Sequence, residues 1–303
     1  MTQTRLAAVP RTRTTEQRLR EHVDRLGEEH PPIDLATVDL TVADPAAVRD
    51  RFGHVLDYMA RVELEVDRNV LELTTMLPDP PEVDRYFYAD VWQPQEVRHG
   101  EILDALQQEL GRPAATPDLT TVSAKLRVLG ALAHLAPVQD VVRMLYYLTG
   151  QATERSAVLA YNLLHDGLTE MGEHAVAGSV VGQIKRQEPG HHAFYSLSAR
   201  GLHDQLAPWQ RWLVRRLRAL SFAPVGVNNP DQLADFGDVM TSLSITDRVE
   251  SFAEQVSRLE RDLLWAHAEG MRVPPYVLRA FADAAGAARA RRPESSVPPT
   301  GTR

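Results

Sequence analysis

One stretch of the chain reads Trp92-Gln93-Pro94-Gln95-Glu96-Val97-Arg98-His99-Gly100-Glu101-Ile102-Leu103. Its Glu96 and His99 are three residues apart, so on a helix both side chains project from one face and can reach one metal ion. The same spacing recurs in Glu188-Pro189-Gly190-His191. The two pairs predict an all-α protein in which a helical bundle holds two iron ions.

The composition agrees with a helical protein and excludes several kinds of site. Of the 303 residues, 44% are hydrophobic and few are aromatic, while alanine, leucine and arginine are frequent, which favours helix over sheet. The net charge of −8 gives no support to nucleic-acid binding. Because the chain has no cysteine, a metal must be bound by carboxylates and imidazoles, which suit iron or manganese.

The terminal regions and the overall hydropathy predict a cytoplasmic protein. No apolar run reaches the roughly 20 residues of a membrane span, and the arginine-rich N-terminus lacks the apolar segment of a secretory signal. We expect an N-terminal extension over residues 1–43 that is partly disordered and a di-iron bundle over 44–270. Residues 271–303 should form a C-terminal helix and a disordered tail rich in Pro, Ser and Thr.

Hydrophobic periodicity and breaker residues predict a series of helices with almost no strand. The helix that starts at Asp44-Pro45 should run to about Leu77, where Pro78-Asp79-Pro80-Pro81 ends it. Gly167 and Gly172 mark the turn between the third and fourth long helices. The other predicted helices span 15–28, 82–110, part of 122–135, 138–166, 173–205, 209–220, 247–267 and 275–292, with an extended segment at 31–43 and a loop at 227–230.

The heights of four glutamates in the predicted bundle support a shared site better than the motif does, since two Glu-x-x-His pairs are close to chance. Glu154 and Glu188 are 34 residues apart, and Glu63 and Glu96 are 33 apart. The midpoint of each pair falls in a predicted turn. Residues equidistant from the turn of two antiparallel helices lie at equal height, here about 25 Å from the turn.

The faces on which these residues lie also indicate a metal site. Glu63 falls on the apolar stripe of its helix, and Glu154 lies on the same stripe as Tyr147 and Tyr161. Four carboxylates that converge in a core are too costly unless cations neutralise them. Two metal ions with four carboxylates and two neutral imidazoles solve the charge problem. The predicted ligands are Glu63, Glu96, His99, Glu154, Glu188 and His191.

Two alternatives remain open among these ligands. Glu65 has nearly the same spacing from the turn as Glu63, but its neighbours on the helix are polar, which favours Glu63. Pro189-Gly190 predicts a kink or a bulge in the fourth helix. If that distortion turned His191 away from the site, His192 would be the substitute ligand.

The chain resembles the soluble acyl-acyl-carrier-protein desaturases of the ferritin-like superfamily over residues 45–265. The residues that carry the resemblance are Trp92, Glu96-x-Arg98-His99-Gly100, Glu154-Arg155, Glu188-x-x-His191 and Tyr195. The resemblance implies a ferritin-like four-helix bundle with additional N- and C-terminal helices. It also implies that the same six side chains bind the iron ions.

Three departures from the family pattern concern residues next to the ligands. Gln95 and Val97 flank Glu96 where the family usually has acidic residues and an Asn, and Ala157 replaces a Thr near the oxygen-binding side. Gln187 replaces an acidic residue that usually supports a histidine ligand. Because such neighbours set the tautomer and basicity of an imidazole, the reaction can differ from that of the family.

The resemblance implies an oxygen-dependent oxidase of fatty acid metabolism that desaturates an acyl chain carried on acyl carrier protein. It would use two iron ions (Fe2+/Fe3+), dioxygen and an external electron donor such as ferredoxin, and it would be a homodimer. The substrate should lie in a groove between the first and the third or fourth helices. Two alternatives remain: a di-iron oxygenase (hydroxylase or N-oxygenase) of secondary metabolism that acts on a small molecule, and a non-catalytic iron-binding helical protein.

An acidic carrier protein would need a basic patch on this acidic chain. The candidates on the predicted helix 209–220 are Arg211, Arg215, Arg216 and Arg218, with Lys185 and Arg186 as a lesser pair. A solvated helix face explains the same arginines equally well.

Overall fold

The computed structural model describes residues 14–70, 77, 79–119 and 124–291, and every regular element in these ranges is helical. The predicted all-α class is confirmed. The helices are α1 (Thr15–Glu29), α2 (Pro45–Leu64), α3 (Glu82–Tyr86, Phe87–Trp92 and Gln93–Glu109 in succession), α4 (Ala124–Ala133), α5 (Ala136–Glu170), α6 (His174–Val176, Ala177–Val181 and Gly182–Gln205 in succession), α7 (Pro208–Ser221), α8 (Pro230–Ser242), α9 (Val249–Leu264) and α10 (Pro275–Arg291).

Four long helices pack in two pairs, α2 against α3 and α5 against α6. The start of α2 is tied to the turn between α5 and α6, because the buried carboxylate of Glu173 accepts from the backbone N–H groups of Ala43 at 2.8 Å and Asp44 at 2.7 Å. Asp44 caps α2 by accepting from Ala47 N at 3.0 Å. These contacts fix the relative position of the two pairs, while the ferritin-like topology stays a prediction.

The prediction that α2 continues to Leu77 is wrong. The helix ends at Leu64, Glu65 is a turn residue, and residues 66–70 are helical again. Residues 71–76 and 78 lie outside the described ranges. The interruption places the carboxylate of Glu65 between the guanidinium groups of Arg61 at 2.9 Å and Arg68 at 2.7 Å, in a buried ion pair.

The distortions of α3 and α6 lie upstream of the Glu-x-x-His pairs rather than within one of them. Phe87–Trp92 and Ala177–Val181 are π-helical, which the sequence did not predict. The helix is not broken at Pro189-Gly190, since α-helix continues from Gly182 to Gln205. Pro189 is exposed, so the backbone groups that it leaves unpaired on that face can reach water.

Two further predictions about helix ends are wrong for identifiable reasons. Gly167 lies inside α5 rather than in a turn. A glycine is needed at this position because a Cβ there would be 2.5 Å from Phe52 Cζ. Gly172 makes the turn, with φ of +82°. Only a loop was predicted around 227–230, but α8 begins there with Asn229 as its N-cap and Pro230 in the first turn.

The terminal helices belong to the same packed cores as the long ones. Buried residues of α1 pack with those of α3, α5 and α6, and buried residues of α8, α9 and α10 pack with those of α2 and α5. The predicted disorder of the two ends falls mostly on residues 1–13 and 292–303, which lie outside the described residues. None of the helices in the described part of the chain has the length and hydrophobicity to cross a lipid bilayer.

Candidate metal centre

The structure brings all six predicted ligand side chains to one place between α2, α3, α5 and α6. They form two groups in which one donor atom of each residue lies within 4.8 Å of the others. The first group consists of Glu63, Glu96, His99 and Glu188, and the second of Glu96, Glu154, Glu188 and His191. Because Glu96 and Glu188 belong to both groups, the arrangement could hold two adjacent cations with two shared carboxylates.

The imidazoles reach the carboxylates through their Nδ1 atoms. His99 Nδ1 lies 3.2 Å from Glu188 Oε1 and 3.5 Å from Glu96 Oε2. His191 Nδ1 lies 2.7 Å from Glu96 Oε1 and 3.8 Å from Glu154 Oε2. Both histidines are fully buried and three of the four glutamates are buried, whereas Glu63 is half-buried.

Several ligand atoms in this cluster have no hydrogen-bond partner outside the cluster among the described residues. They are Glu96 Oε1, His99 Nδ1, Glu188 Oε1 and His191 Nδ1. Buried polar atoms are normally paired, so a group of them that face only one another calls for a specific explanation. Oxygen and imidazole nitrogen donors that converge in this way fit a hard divalent cation such as ferrous iron.

The pKa values of the cluster also indicate a site that could bind cations. Burial and the charge of Glu96 raise the pKa values of the Glu63 and Glu154 carboxyls well above their ordinary range. Burial alone would lower the pKa of His99, but its contacts with Glu188 and Glu96 outweigh this and raise it to about 10. Protons are therefore bound where cations would otherwise neutralise the carboxylates.

Two aromatic side chains hold the carboxylates at the edges of the cluster. Trp92 donates from Nε1 to Glu154 Oε1 at 3.2 Å, and the Tyr161 hydroxyl donates to Glu63 Oε1 at 2.5 Å. Trp92 belongs to the stretch that the motif identified. The sequence places Tyr161 on an apolar stripe, but nothing in the sequence indicates its hydrogen bond to another helix.

Two glutamines that the sequence treated as departures from a family pattern contact the histidines. Gln187 Oε1 lies 2.7 Å from His99 Nε2, and Gln95 Oε1 lies 2.5 Å from His191 Nε2. The available signal was a repeated motif, because each glutamine directly precedes a glutamate in Gln-Glu-x-x-His.

Neither alternative ligand joins the cluster. Glu65 is engaged by Arg61 and Arg68. His192 Nε2 lies 3.1 Å from Gln151 Nε2 on α5, and burial together with the charge of Arg155 lowers the pKa of His192 to about 4. The geometry thus favours Glu63 over Glu65 and His191 over His192.

An apolar cavity adjoins the cluster at Glu63. Its enclosed space is about 50 Å³, and about 490 Å³ when the solvent at its open mouth is included. The residues that line it are Tyr58, Met59, Val62, Glu63, Ser156, Ala157, Ala160, Tyr161, Val225, Phe236, Val239, Met240, Ile245 and Phe252. Most of them come from α2, α5, α8 and α9, so the cavity lies between the first and third long helices.

The polar groups of this lining are already engaged. The Tyr58 hydroxyl donates to Val225 O at 2.5 Å, and the Ser156 hydroxyl donates to Ala152 O at 2.8 Å. The Tyr161 hydroxyl donates to Glu63. Because the lining offers no cation and no free donor among the described residues, it suits an uncharged, apolar portion of a ligand.

Comparison with known proteins gave no match to a protein-family model, a curated protein or a solved structure. The resemblance to the acyl-carrier-protein desaturases therefore stays a prediction from motif residues. The geometry of the cluster and of the adjoining cavity, rather than the likeness to a relative, supports the function proposed below.

Proposed function

We propose that the protein is an oxygen-dependent di-iron oxidase that removes hydrogen from an apolar chain, with an acyl chain on acyl carrier protein as substrate. One observation supports this most directly. Two ligand groups that share Glu96 and Glu188 lie beside an apolar cavity whose lining includes Glu63. A storage or scaffold protein has no need for a cavity of this kind next to its cations.

The ligand residues divide between two positions. Glu63 and His99 would bind one iron, Glu154 and His191 the other, and Glu96 and Glu188 would bridge them. When bound, the two irons would supply the reduction of dioxygen and the oxidation of a C–H bond, with electrons from an external donor such as ferredoxin.

The chain itself positions the substrate and excludes water. The apolar side chains of Met59, Ala157 and Ala160 line the cavity next to Glu63. A hydrocarbon chain in the cavity would therefore lie beside the iron that Glu63 and His99 would bind. The hydroxyl of Tyr161 holds the Glu63 carboxylate at this boundary. Ala157 leaves room where a larger residue would narrow the cavity.

The carrier protein would dock on α7. Arg218 must be removed from the patch that the sequence predicted, because it is 1% exposed and its guanidinium Nε donates to Glu260 Oε2 at 3.0 Å. Arg216 is exposed and lies over the ring of Trp212, which is itself 53% exposed. An exposed Trp beside arginines is a typical anchor for an acidic partner.

We predict that the double substitution Arg215→Glu and Arg216→Glu weakens binding of acyl carrier protein, because it reverses the charge of this face. Titration of carrier protein against the metal-loaded variant measures the effect. The control is Arg279→Glu, an exposed arginine on α10, which should leave the affinity unchanged. Equal binding by the double variant and the wild type would remove α7 from the proposal.

A second candidate is a di-iron oxygenase of secondary metabolism that acts on a small molecule. Gln95 and Gln187 favour it, since they stand where the family usually has acidic residues. Hydroxylation of an apolar molecule fits the cavity better than N-oxygenation, because the described residues of the lining offer no free polar group to position an amine. Mass spectrometry separates the candidates when the protein is given either an acyl chain carried on acyl carrier protein or the free acid. Desaturation removes two hydrogens from the substrate, whereas hydroxylation adds an oxygen.

Metal analysis after anaerobic loading with ferrous iron tests the centre itself. We expect two irons per chain in the wild type and fewer in Glu96→Ala, which lacks a shared carboxylate. Oxygen should then change the absorption spectrum of the loaded wild type. Failure to bind iron would contradict the proposal, and iron that never reacts with oxygen would indicate the non-catalytic alternative.

A further inference from the structure

We propose that Gln95 and Gln187 are positioning residues that orient the two histidines with Nδ1 toward the metal, and that the backbone at His30 and Pro31 holds both glutamines in place. The inference rests on the metal centre proposed above. It assigns a role to the segment that follows α1, although this segment supplies no ligand.

The two glutamines form reciprocal contacts between α3 and α6. Gln95 precedes Glu96 on α3 but contacts His191 on α6 at 2.5 Å. Gln187 precedes Glu188 on α6 but contacts His99 on α3 at 2.7 Å. The motif Gln-Glu-x-x-His is thus used twice, and each copy supports the histidine of the other.

Backbone carbonyl groups determine how each amide is oriented. Gln95 Nε2 donates to His30 O at 2.5 Å, and Gln187 Nε2 donates to Pro31 O at 2.8 Å and to His30 O at 3.4 Å. A carbonyl oxygen only accepts hydrogen bonds, so the NH2 group of each amide must face it. The oxygen of each amide is therefore directed at the imidazole.

This orientation determines the tautomer of each histidine. An amide oxygen only accepts, so Nε2 of His99 and Nε2 of His191 must each carry the hydrogen. In a neutral imidazole, Nδ1 then has the free lone pair. These Nδ1 atoms face the carboxylates of the cluster and have no other hydrogen-bond partner among the described residues.

An amide also differs from a carboxylate in the charge it gives the centre. With metal bound, a neutral partner would leave both imidazoles neutral, so four carboxylates would balance two divalent ions. Gln95 is 1% exposed and Gln187 is 4% exposed, so bulk water has little access to these bonds. The pair therefore favours two divalent ions, the state in which ferrous iron is loaded.

Packing of α1 on α6 holds His30 and Pro31 at the glutamines. His22 Nε2 lies 2.9 Å from Gly190 O. A Cβ at Gly190 would lie 2.4 Å from Leu26 Cδ1, so α1 approaches α6 as closely as a glycine permits. The residues that follow α1 then place His30 O against the amide of Gln95 and Pro31 O against the amide of Gln187.

The test uses zinc-loaded protein with 15N-labelled histidine, in which NMR reports the tautomer and the hydrogen exchange of each ring N–H. We expect both metal-bound histidines to carry Nε2–H with slow exchange. Gln187→Met should accelerate exchange at His99 alone, and Gln95→Met at His191 alone. Each should lower zinc affinity by about 10–100-fold. Gln107→Met is the control, since this buried glutamine on α3 instead donates to Asp104.

Gln187→Glu provides a second variant, because it keeps an acceptor for His99 and loses the donor to Pro31 O. It should preserve slow exchange at His99 and still weaken zinc binding. Nδ1–H tautomers, or exchange that changes equally at both histidines in each variant, would overturn the inference. If the wild type binds no zinc, the proposed metal centre fails, and the same exchange comparison in metal-free protein decides the glutamine–histidine pairing.

Discussion

At the scale of single residues, Glu63 has three contacts that belong to different parts of the molecule. Its carboxylate joins the ligand cluster, accepts from Tyr161 and lines the apolar cavity. No other residue of the cluster lines that cavity. Changes at Tyr161 should therefore affect one cation position more than the other.

We predict that Tyr161→Phe weakens binding of one of two divalent ions, because Glu63 Oε1 loses its donor while the ligands of the second position keep theirs. Calorimetric titration with zinc should resolve a strong and a weakened step. Tyr58→Phe is a matched control, since it removes a cavity hydroxyl that donates to Val225 O and not to a ligand. A uniform loss of both steps in Tyr161→Phe would contradict the prediction.

Asp84 should make the stability of the fold depend on pH. Burial raises its pKa to about 6, although the Tyr147 hydroxyl and Arg143 act in the opposite direction. Between the unfolded pKa near 3.8 and the folded one, the folded state binds more protons, so stability falls as pH rises and stays lower above about 6. The difference corresponds to about 3 kcal/mol.

Asp84→Asn should abolish this fall, because the amide has no charge to bury and its oxygen still accepts from Tyr147. Urea denaturation between pH 4 and pH 8 measures the free energy of unfolding of both proteins. Asp90→Asn, an exposed site on the same helix, serves as the control. Parallel pH profiles for Asp84→Asn and the wild type would show that Asp84 is not the cause.

The sequence predicted the residues of the cluster that follow a helical period and missed those whose role depends on another segment. The Glu and His residues share faces and heights, which spacing alone reveals. Gln95 and Gln187 act through the carbonyl groups of His30 and Pro31, which no period encodes. Arg218 was misassigned because its partner, Glu260, is on a different helix.

At the scale of elements, the boundaries set by caps were predicted well and those set by contacts were not. Asp44 with Pro45 marked the start of α2, and Pro275 marked the start of α10. The interruption at Glu65 and the π-helical segments of α3 and α6 were not predicted. Gly167 was predicted to mark a turn, but it is a helical residue whose missing side chain makes room for Phe52.

We predict that Gly190→Ala displaces α1 and weakens metal binding, because the new methyl group would lie 2.4 Å from Leu26 Cδ1. Overpacking of this kind costs about 1–3 kcal/mol. Thermal unfolding measures the loss of stability, and zinc titration measures the consequence for the histidines. Gly178→Ala lies on the same helix with open space around it and should change neither. Unaltered zinc affinity in a destabilised Gly190→Ala would separate α1 from the metal centre.

At the scale of the whole molecule, a buried ion pair attaches the C-terminal helices to α5, one of the helices that carry the predicted ligands. Arg218 on α7 donates to Glu260 on α9, to the hydroxyl of Thr149 and to Leu148 O on α5. The Tyr276 hydroxyl of α10 also donates to Glu260. Four helices therefore meet at one neutralised pair of charges.

We predict that Arg218→Met destabilises the fold by about 3–5 kcal/mol, because it leaves the buried carboxylate of Glu260 without its cation. The double variant Arg218→Met, Glu260→Gln should recover part of this loss, since no charge is then buried. Urea denaturation of both variants and of Glu260→Gln completes a double-mutant cycle. Additive losses would show that the two side chains act independently.

The cavity distinguishes the two ligand groups that the repeated motif makes nearly equivalent. Glu63 lines it, whereas the side chains that complete the second position do not. In the proposed function, a chain that entered the cavity would therefore meet the position of Glu63 before the other one. The length of chain that the cavity admits would then decide which carbon atom lies beside Glu63.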